Sequence, residues 1–349
     1  MKNFKIGNKE IGYNQPAFII AELSANHNQN YDIAVETIKA VADSGADAIK
    51  LQTYTADTIT LDSNKEYFQI KSGTIWDGTT LYELYKTAYT PWEWQPKLKK
   101  IVEDLGLIFF SSPFDKTSVD FLETMNVPAY KIASFEITDI PLIEYVANKN
   151  KPIIISTGIA EINDIELAIS ACHKMKNYDI ALLSCTSSYP APIEEANLAQ
   201  IKFLSDKFDV IAGLSDHTLG ITVPITAVAL GAKIIEKHFI FNKEVGGPDE
   251  SFSLLPSEFK LMVDSVREAE KAIGTSNYFV SKSSIKGKIF ARSLFVAENI
   301  KKGEVFTNKN IRSVRPANGL HPKYLEEILN NHATKDIEKG EPLNWDMIQ

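Results

Sequence analysis

Eight short apolar runs constrain this chain more than any other feature. They span residues 17–23, 48–51, 107–111, 130–133, 152–156, 180–184, 210–214 and 233–235. Each is rich in Ile, Val, Phe or Leu and stops abruptly at polar residues, as a strand buried on both faces does. Amphipathic stretches lie between most of them. Residues 31–44 space Ile33, Val35, Ile38 and Val41 along a helix that Gly45 stops, and residues 164–176 and 257–273 read the same way. Asn163 or Asp164 is expected to cap the second of these helices, and Ser257 the third. Strand–helix alternation repeated eight times predicts a parallel sheet closed into a (β/α)8 TIM barrel, which needs about 250 residues. A doubly wound sheet would carry a glycine-rich loop after its first strand. Here Ser24-Ala25-Asn26-His27-Asn28 follows instead.

Two stretches break the rhythm. Roughly 55 residues separate the second and third runs and include Ser72-Gly73-Thr74-Ile75-Trp76-Asp77-Gly78. That length predicts a loop or lid over the barrel mouth. After Ile273 the alternation ends. The expected organisation is a barrel over 1–275, a polar linker over 276–286 and a small β-rich domain over 287–349. The last part repeats itself: Ile300-Lys301-Lys302-Gly303-Glu304 returns as Ile337-Glu338-Lys339-Gly340-Glu341, and an isoleucine follows each glutamate after seven residues (Ile311, Ile348). Short β segments with Lys-Gly turns, related by a pseudo-twofold axis, are the expectation. A unit this small is expected to pack on something.

Composition narrows the function. Of 349 residues, 44% are hydrophobic and 23% charged, which excludes disorder as the main architecture. A net charge of -8 disfavours nucleic acid as partner. Two cysteines, Cys172 and Cys185, make no disulfide framework and point to a reduced, cytoplasmic compartment. No window approaches the ~18 apolar residues of a membrane span, and the N-terminus lacks a signal-peptide core.

In such a barrel the polar residues that end the strands face the active site. Glu22, Lys50, Gln52, Ser111, Ser112, Lys131, Ser134, Glu136, Ser156, Thr157, Thr186, Ser187, Ser215, Asp216, His217, Glu236, Lys237 and His238 stand at or just beyond the run ends. His217 and His238 close consecutive runs, so one divalent cation can be shared between them with positions left open. Lys50 and Lys131 sit among apolar neighbours and require an anion: phosphate, carboxylate, or an ion pair with Glu22 or Glu136. Either lysine could instead form a Schiff base, as an aldolase would. The serines suit a phosphate, and Glu22 and Glu136 suit proton transfer. Asp249, in a Gly-Gly-Pro-Asp turn, is aimed at a sugar hydroxyl. Arg315 precedes Pro316, as in an anion clamp.

These residues resemble a known family. Glu22-Leu23-Ser24-Ala25-Asn26-His27-Asn28, Lys50-Leu51-Gln52-Thr53, Ser112-Pro113-Phe114, Lys131-Ile132-Ala133-Ser134-Phe135-Glu136, Cys185-Thr186-Ser187-Ser188-Tyr189-Pro190, Gly213-Leu214-Ser215-Asp216-His217-Thr218 and Glu236-Lys237-His238-Phe239 are similar to motifs of the sialic acid synthase family. The tail resembles that family's antifreeze-like (SAF) domain. Within the family, the Ser24-Ala25 dipeptide, residues 75–94 and Gly247-Pro248-Asp249 resemble the pseudaminate branch. N-acetylneuraminate and legionaminate synthases are the alternatives inside the family. A Schiff-base aldolase and a non-catalytic carbohydrate-binding protein are those outside it.

The resemblance implies a transferase that condenses phosphoenolpyruvate with an open-chain amino sugar, 2,4-diacetamido-2,4,6-trideoxy-L-altrose. It implies a divalent metal (Mn2+, with Mg2+ or Co2+ as alternatives) on His217 and His238. Lys50, Lys131, Ser112, Ser134, Ser156 and Ser215 would hold phosphate and carboxylate. Glu136 would handle the attacking water, and Glu22 and Asp249 the sugar hydroxyls. Gln52, Phe114, Ser187 and Tyr189 would complete the pocket. A domain-swapped homodimer would bring Arg315 to the neighbour's site. Trp76, Trp92 or Trp94 is expected to cover the sugar's methyl group.

Overall fold

Each of the eight runs is a parallel strand in the computed structural model, which describes residues 3–71, 73, 75–275 and 277–349. A hairpin of β1 (Phe4–Ile6) and β2 (Lys9–Ile11), too short to show a period, precedes them. The barrel strands are β3 (Phe18–Glu22), β4 (Ala48–Thr53), β5 (Ile108–Pro113), β6 (Tyr130–Ile132), β7 (Ile153–Ser156), β8 (Ile180–Cys185), β9 (Ile211–Asp216) and β10 (Ile234–His238). They close in the order β10-β3-β4-β5-β6-β7-β8-β9. The helices of this unit are α1 (Tyr31–Asp43), α2 (Ala56–Ile59), α3 (Leu81–Ala88), α4 (Gln95–Asp104), α5 (Lys116–Thr124), α6 (Ile140–Ala147), α7 (Ile162–Lys174), α8 (Ala199–Phe208), α9 (Thr222–Ala229) and α10 (Pro256–Ile273).

Alternation along each strand decides what the barrel holds. Phe18, Ile20, Ala48, Phe110, Ile154, Leu183 and Ile234 cluster with Phe4, Ile6 and Ile11 of the hairpin. The residues between them, such as Ile19, Ile49, Phe109, Ile155 and Ile235, join the larger cluster shared with the helices. Each fully buried aliphatic side chain contributes roughly 1.5–3 kcal/mol. That apolar packing supports a strand-end rim where the inward period turns to Glu, Lys, Ser and His.

Two expected caps are corrected. Helix α7 starts at Ile162, and the amide of Glu161 donates to Asp164 at 2.9 Å. Helix α10 starts at Pro256, and the amide of Leu255 donates to Glu258 at 2.8 Å. Asn163, Asp164 and Ser257 therefore lie inside first turns. A carboxylate at the third helical position reaches back to the cap amide, and proline favours the first position.

The chain divides into two compact units at Gly274/Thr275. The second holds α11 (Lys282–Lys286), α12 (Leu325–Ile328) and an antiparallel pair, β11 (Ser293–Val296) with β12 (Ile311–Val314). Helix α11 falls within the stretch expected as a linker, where Ser276 lies outside the described residues. The internal repeat shows as symmetry. Ile300 and Ile337 exchange two amide hydrogen bonds of 2.9 Å. Lys301 N donates to Glu304 at 2.8 Å, and Glu338 N to Glu341 at 3.1 Å. Gly303 and Gly340 close the two turns at φ +83° and +93°, where a side chain is disfavoured. Leu294, Val296, Phe306, Ile328 and Leu343 belong to a separate core of this unit. Among the described residues no helix is long and apolar enough to cross a membrane.

Candidate active site

Parallel register sets Glu22 of β3 beside Lys50 of β4 and, on the other side, beside His238 of β10. Buried Lys50 forms an ion pair with Glu22, and its Nζ stands 3.7 Å from Glu236. It also donates to Ser112 Oγ at 3.3 Å. Lys131 Nζ donates to Glu236 at 3.1 Å, and Ser215 Oγ donates to the same carboxylate oxygen at 3.1 Å. Gln52 Nε2 donates to Glu22 at 3.0 Å and to Ser24 Oγ at 2.9 Å. Desolvation costs several kcal/mol per buried ion, so these charges persist only as a connected network. Glu236 is its centre, a strand-end residue to which the sequence assigns no role. Its signal was its position on β10, two residues before His238 and on the same inward face. Glu136, the expected alternative partner for Lys131, is not the carboxylate that pairs with it.

The two histidine rings lie 5.3 Å apart between centroids. His217 Nδ1 stands 3.0 Å from Thr186 O, and a carbonyl only accepts, so this nitrogen carries a proton. Cys185 Sγ lies 3.8 Å from the same nitrogen. Asp249 Oδ2 is 3.7 Å from His238 Nδ1. Nearby, Gly158 N donates to Ser134 Oγ at 3.2 Å. A Cβ on Gly158 would stand 2.2 Å from Ser187 Oγ and 2.7 Å from Ser134 Oγ, so the absence of a side chain lets the serines converge. Ser156 Oγ is buried without a hydrogen-bond partner among the described residues.

A cavity of about 620 Å³ opens over this floor. Glu22, Lys50, Gln52, Phe114, Lys131, Ser134, Glu136, Ser156, Tyr189, Ser215, His217, His238 and Asp249 all line it. Ser112 stays behind Lys50, and Ser187 sits beside Ser134 and Gly158. Arg315 belongs to the second unit, where it is exposed. The long insertion contributes Tyr54, Tyr85 and Trp76 to the cavity; Ser72 and Thr74 lie outside the described residues. Of the three tryptophans expected over the sugar, only Trp76 lines it. Trp92 stacks on Phe121, and Trp94 packs edge-on against His27 and Tyr31, because both serve the barrel's outer packing.

Burial lifts the Glu22 carboxyl to about 7, with Lys50 opposing. Burial lifts Glu136 to about 7 as well, opposed by a backbone hydrogen bond and then by the charge of Lys131. Glu236 goes the other way: burial alone would raise it, and Lys131 and Lys50 hold it below the usual carboxylate range. Burial, then the charge of His217, press His238 well below the usual histidine value. Burial raises Asp249. Burial opposes charge on both Cys185 and His217, yet the hydrogen bond between them lowers the thiol and raises the imidazole.

The sequence profile of the NeuB family matches residues 37–278, and that of the SAF domain matches residues 291–349. This chain belongs to the NeuB family. The NeuB-family chain is 47% identical over 339 residues to a pseudaminic acid synthase of Campylobacter jejuni, covering 97% of this chain and 98% of that protein. It is 48% identical over 336 residues to a pseudaminic acid synthase of Helicobacter pylori, covering 96% and 98%. The N-acetylneuraminic acid (sialic acid) synthetase of Leptospira borgpetersenii, solved in complex with citrate, is 34% identical. It aligns with a TM-score of 0.74 over 82% of this chain and 95% of that one. The family resemblance and the barrel-plus-SAF architecture expected from sequence are both borne out.

The donor set of this NeuB-family barrel fits a divalent cation. Two imidazoles face one cavity, and His238 Nδ1 is buried with no hydrogen-bond partner among the described residues. A neutral imidazole is the form that binds metal. Among the described residues no group of three or more His, Cys, Asp or Glu side chains is arranged as a closed metal cage. A pair of protein ligands leaves the coordination sphere open to substrate and water.

Proposed function

We propose that this chain is a pseudaminic acid synthase. It is a transferase that condenses phosphoenolpyruvate with the open-chain aldehyde of 2,4-diacetamido-2,4,6-trideoxy-L-altrose and releases pseudaminic acid and phosphate. The observation that carries the reading is the floor of the cavity: two buried ammonium groups netted to Glu22 and Glu236, beside an imidazole pair. Lys50, Lys131, Ser134, Ser156 and Ser215 bind the phosphate and carboxylate, and Ser112 acts through Lys50. Glu22, lifted to about 7, can meet the incoming anion as the neutral acid. His217 and His238 would hold a divalent cation, Mn2+ before Mg2+ or Co2+, which supplies Lewis-acid polarisation of the aldehyde.

C3 of phosphoenolpyruvate attacks the aldehyde carbon, whose oxygen takes up a proton. Water adds at C2 and gives its proton to Glu136, whose lifted carboxyl is suited to proton transfer near neutrality. The new C2 hydroxyl then becomes the C2 ketone as the C2–O bond to the phosphate breaks, and phosphate leaves with the bridging oxygen and the hydroxyl's proton. Glu22 and Asp249 orient sugar hydroxyls, while Gln52, Phe114, Ser187 and Tyr189 shape the pocket. The active form is a domain-swapped homodimer in which Arg315 of one protomer serves the other barrel. Arg315→Ala should weaken phosphoenolpyruvate binding, and mixed dimers with a barrel-defective variant should recover activity; absence of recovery argues against swapping. Two free cysteines support a cytoplasmic location.

The test is phosphate release from phosphoenolpyruvate against a panel of amino-sugar aldehydes, with and without Mn2+. Metal-dependent release that is fastest with the trideoxy sugar is expected. A borohydride-trapped lysine adduct with turnover indifferent to EDTA would move the assignment to a Schiff-base aldolase. Release that is fastest with N-acetylmannosamine would move it to an N-acetylneuraminate synthase.

A further inference from the structure

One wall of the cavity takes no part in the chemistry above. Helix α3 places Leu81, Leu84, Tyr85 and Ala88 at relative positions 0, 3, 4 and 7, a single helical face, and all four line the cavity. A stripe of this kind ordinarily meets a protein core; here it meets the space above the charged floor. Ile59 and Ile70 line the same space from other parts of the insertion. Trp76 closes the edge, and its indole N–H is spent on Pro248 O at 3.2 Å. At Leu81, Leu84, Ala88, Ile59 and Ile70 the wall is aliphatic, with the Tyr85 phenol as its polar exception, so a hydroxyl seated on those aliphatic side chains would lose its water without a partner.

Resting on the synthase reading, we propose that this α3 wall is the subsite for the methyl group at C6 of the sugar. By this assignment it sets the preference for a 6-deoxy over a 6-hydroxy substrate. The floor, built from strands, reads the anionic partner and the aldehyde; the wall reads the apolar end. One apolar group in a hydrophobic pocket discriminates by on the order of 10–100-fold.

The experiment compares kcat/KM for the 6-deoxy sugar and its 6-hydroxy counterpart in the full-length protein, Leu84→Ser, Leu84→Met and the gentler Ala88→Ser. The unaltered protein should favour the 6-deoxy sugar by on the order of 10–100-fold. Leu84→Ser should narrow that ratio by about 10-fold, Ala88→Ser by less, and Leu84→Met should preserve it. The KM for phosphoenolpyruvate should stay where it is, and melting curves identify any variant that fails to fold. An unchanged ratio in folded Leu84→Ser and Ala88→Ser, or no preference in the unaltered protein, overturns the proposal. If no sugar yields phosphate, the synthase reading falls by itself. The wall is then judged by calorimetry: tighter binding of the 6-deoxy sugar that Leu84→Ser levels supports it, and equal binding of both sugars overturns it.

Discussion

The floor of the cavity comes from the strands of a closed barrel, and its roof comes from one insertion between β4 and β5. On the floor the charges borne by the strands have their places fixed by register: Glu22 lies between Lys50 and His238 because three adjacent strands pair in parallel. The roof has no register. It is held by side-chain contacts, such as Trp92 Nε1 donating to Tyr54 O at 3.0 Å and Trp76 Nε1 donating to Pro248 O. The difference teaches a division of labour. Chemistry that needs preorganised charge sits where the backbone cannot yield, and recognition of apolar shape sits where sequence can vary without disturbing the barrel.

Breaking the floor should have the largest effect. His217→Ala or His238→Ala is expected to cost more than the roughly 100-fold that loss of a partner behind a metal ligand costs, and to abolish the response of turnover to Mn2+. Full metal-dependent turnover in either variant would remove the ligand assignment. Next comes Glu136→Gln, expected to slow kcat by about 100-fold, the lower end for loss of a general base. Glu136 must be ionised to take the proton, and its carboxyl is lifted to about 7 by burial. Activity should therefore rise with pH through about 7, and Glu136→Gln should flatten that limb. Glu22, also lifted to about 7, would give the opposite, falling limb as the neutral acid, and gives the rising limb only if it is the base in place of Glu136. If the limb survives in Glu136→Gln and disappears in Glu22→Gln, the two roles are exchanged.

The same contrast explains what could be read from sequence. The floor was legible because abrupt strand ends and a period of two reveal which residues point inward. Lys50, Lys131, His217 and His238 all fell into place on that ground. Glu236 belongs to the same ring of strand ends, but its role as the lysines' shared partner is set across the barrel, a distance that no local pattern encodes. The roof was legible only as excess length. Helix α3 has eight residues, too few for its stripe to stand out from a core-facing one. The three tryptophans looked alike in sequence, yet packing sent Trp92 and Trp94 elsewhere. The hairpin at the start escaped for a related reason: β1 and β2 have three residues each.

The smallest expected effect concerns how the roof is tied to the barrel. His27, just beyond β3, is buried and bonds Thr90 Oγ1 of the insertion through Nε2 at 3.0 Å. Its Nδ1 accepts from the amide of Gln29 at 3.1 Å, so the ring is neutral with its proton on Nε2. Burial lowers its pKa from 6.5 to about 4. Between those values the unfolded chain binds a proton that the folded chain refuses. Stability from this group is therefore complete above about 6.5 and is lost as pH falls towards about 4. A shift of this size is worth at most about 3 kcal/mol. Urea midpoints measured across that window should fall more steeply in the unaltered protein than in His27→Asn. Hydrogen exchange around Thr90 should accelerate before exchange in the barrel strands. Identical pH slopes in the two proteins would show that the roof is anchored by its other contacts, and that floor and roof open together rather than in turn.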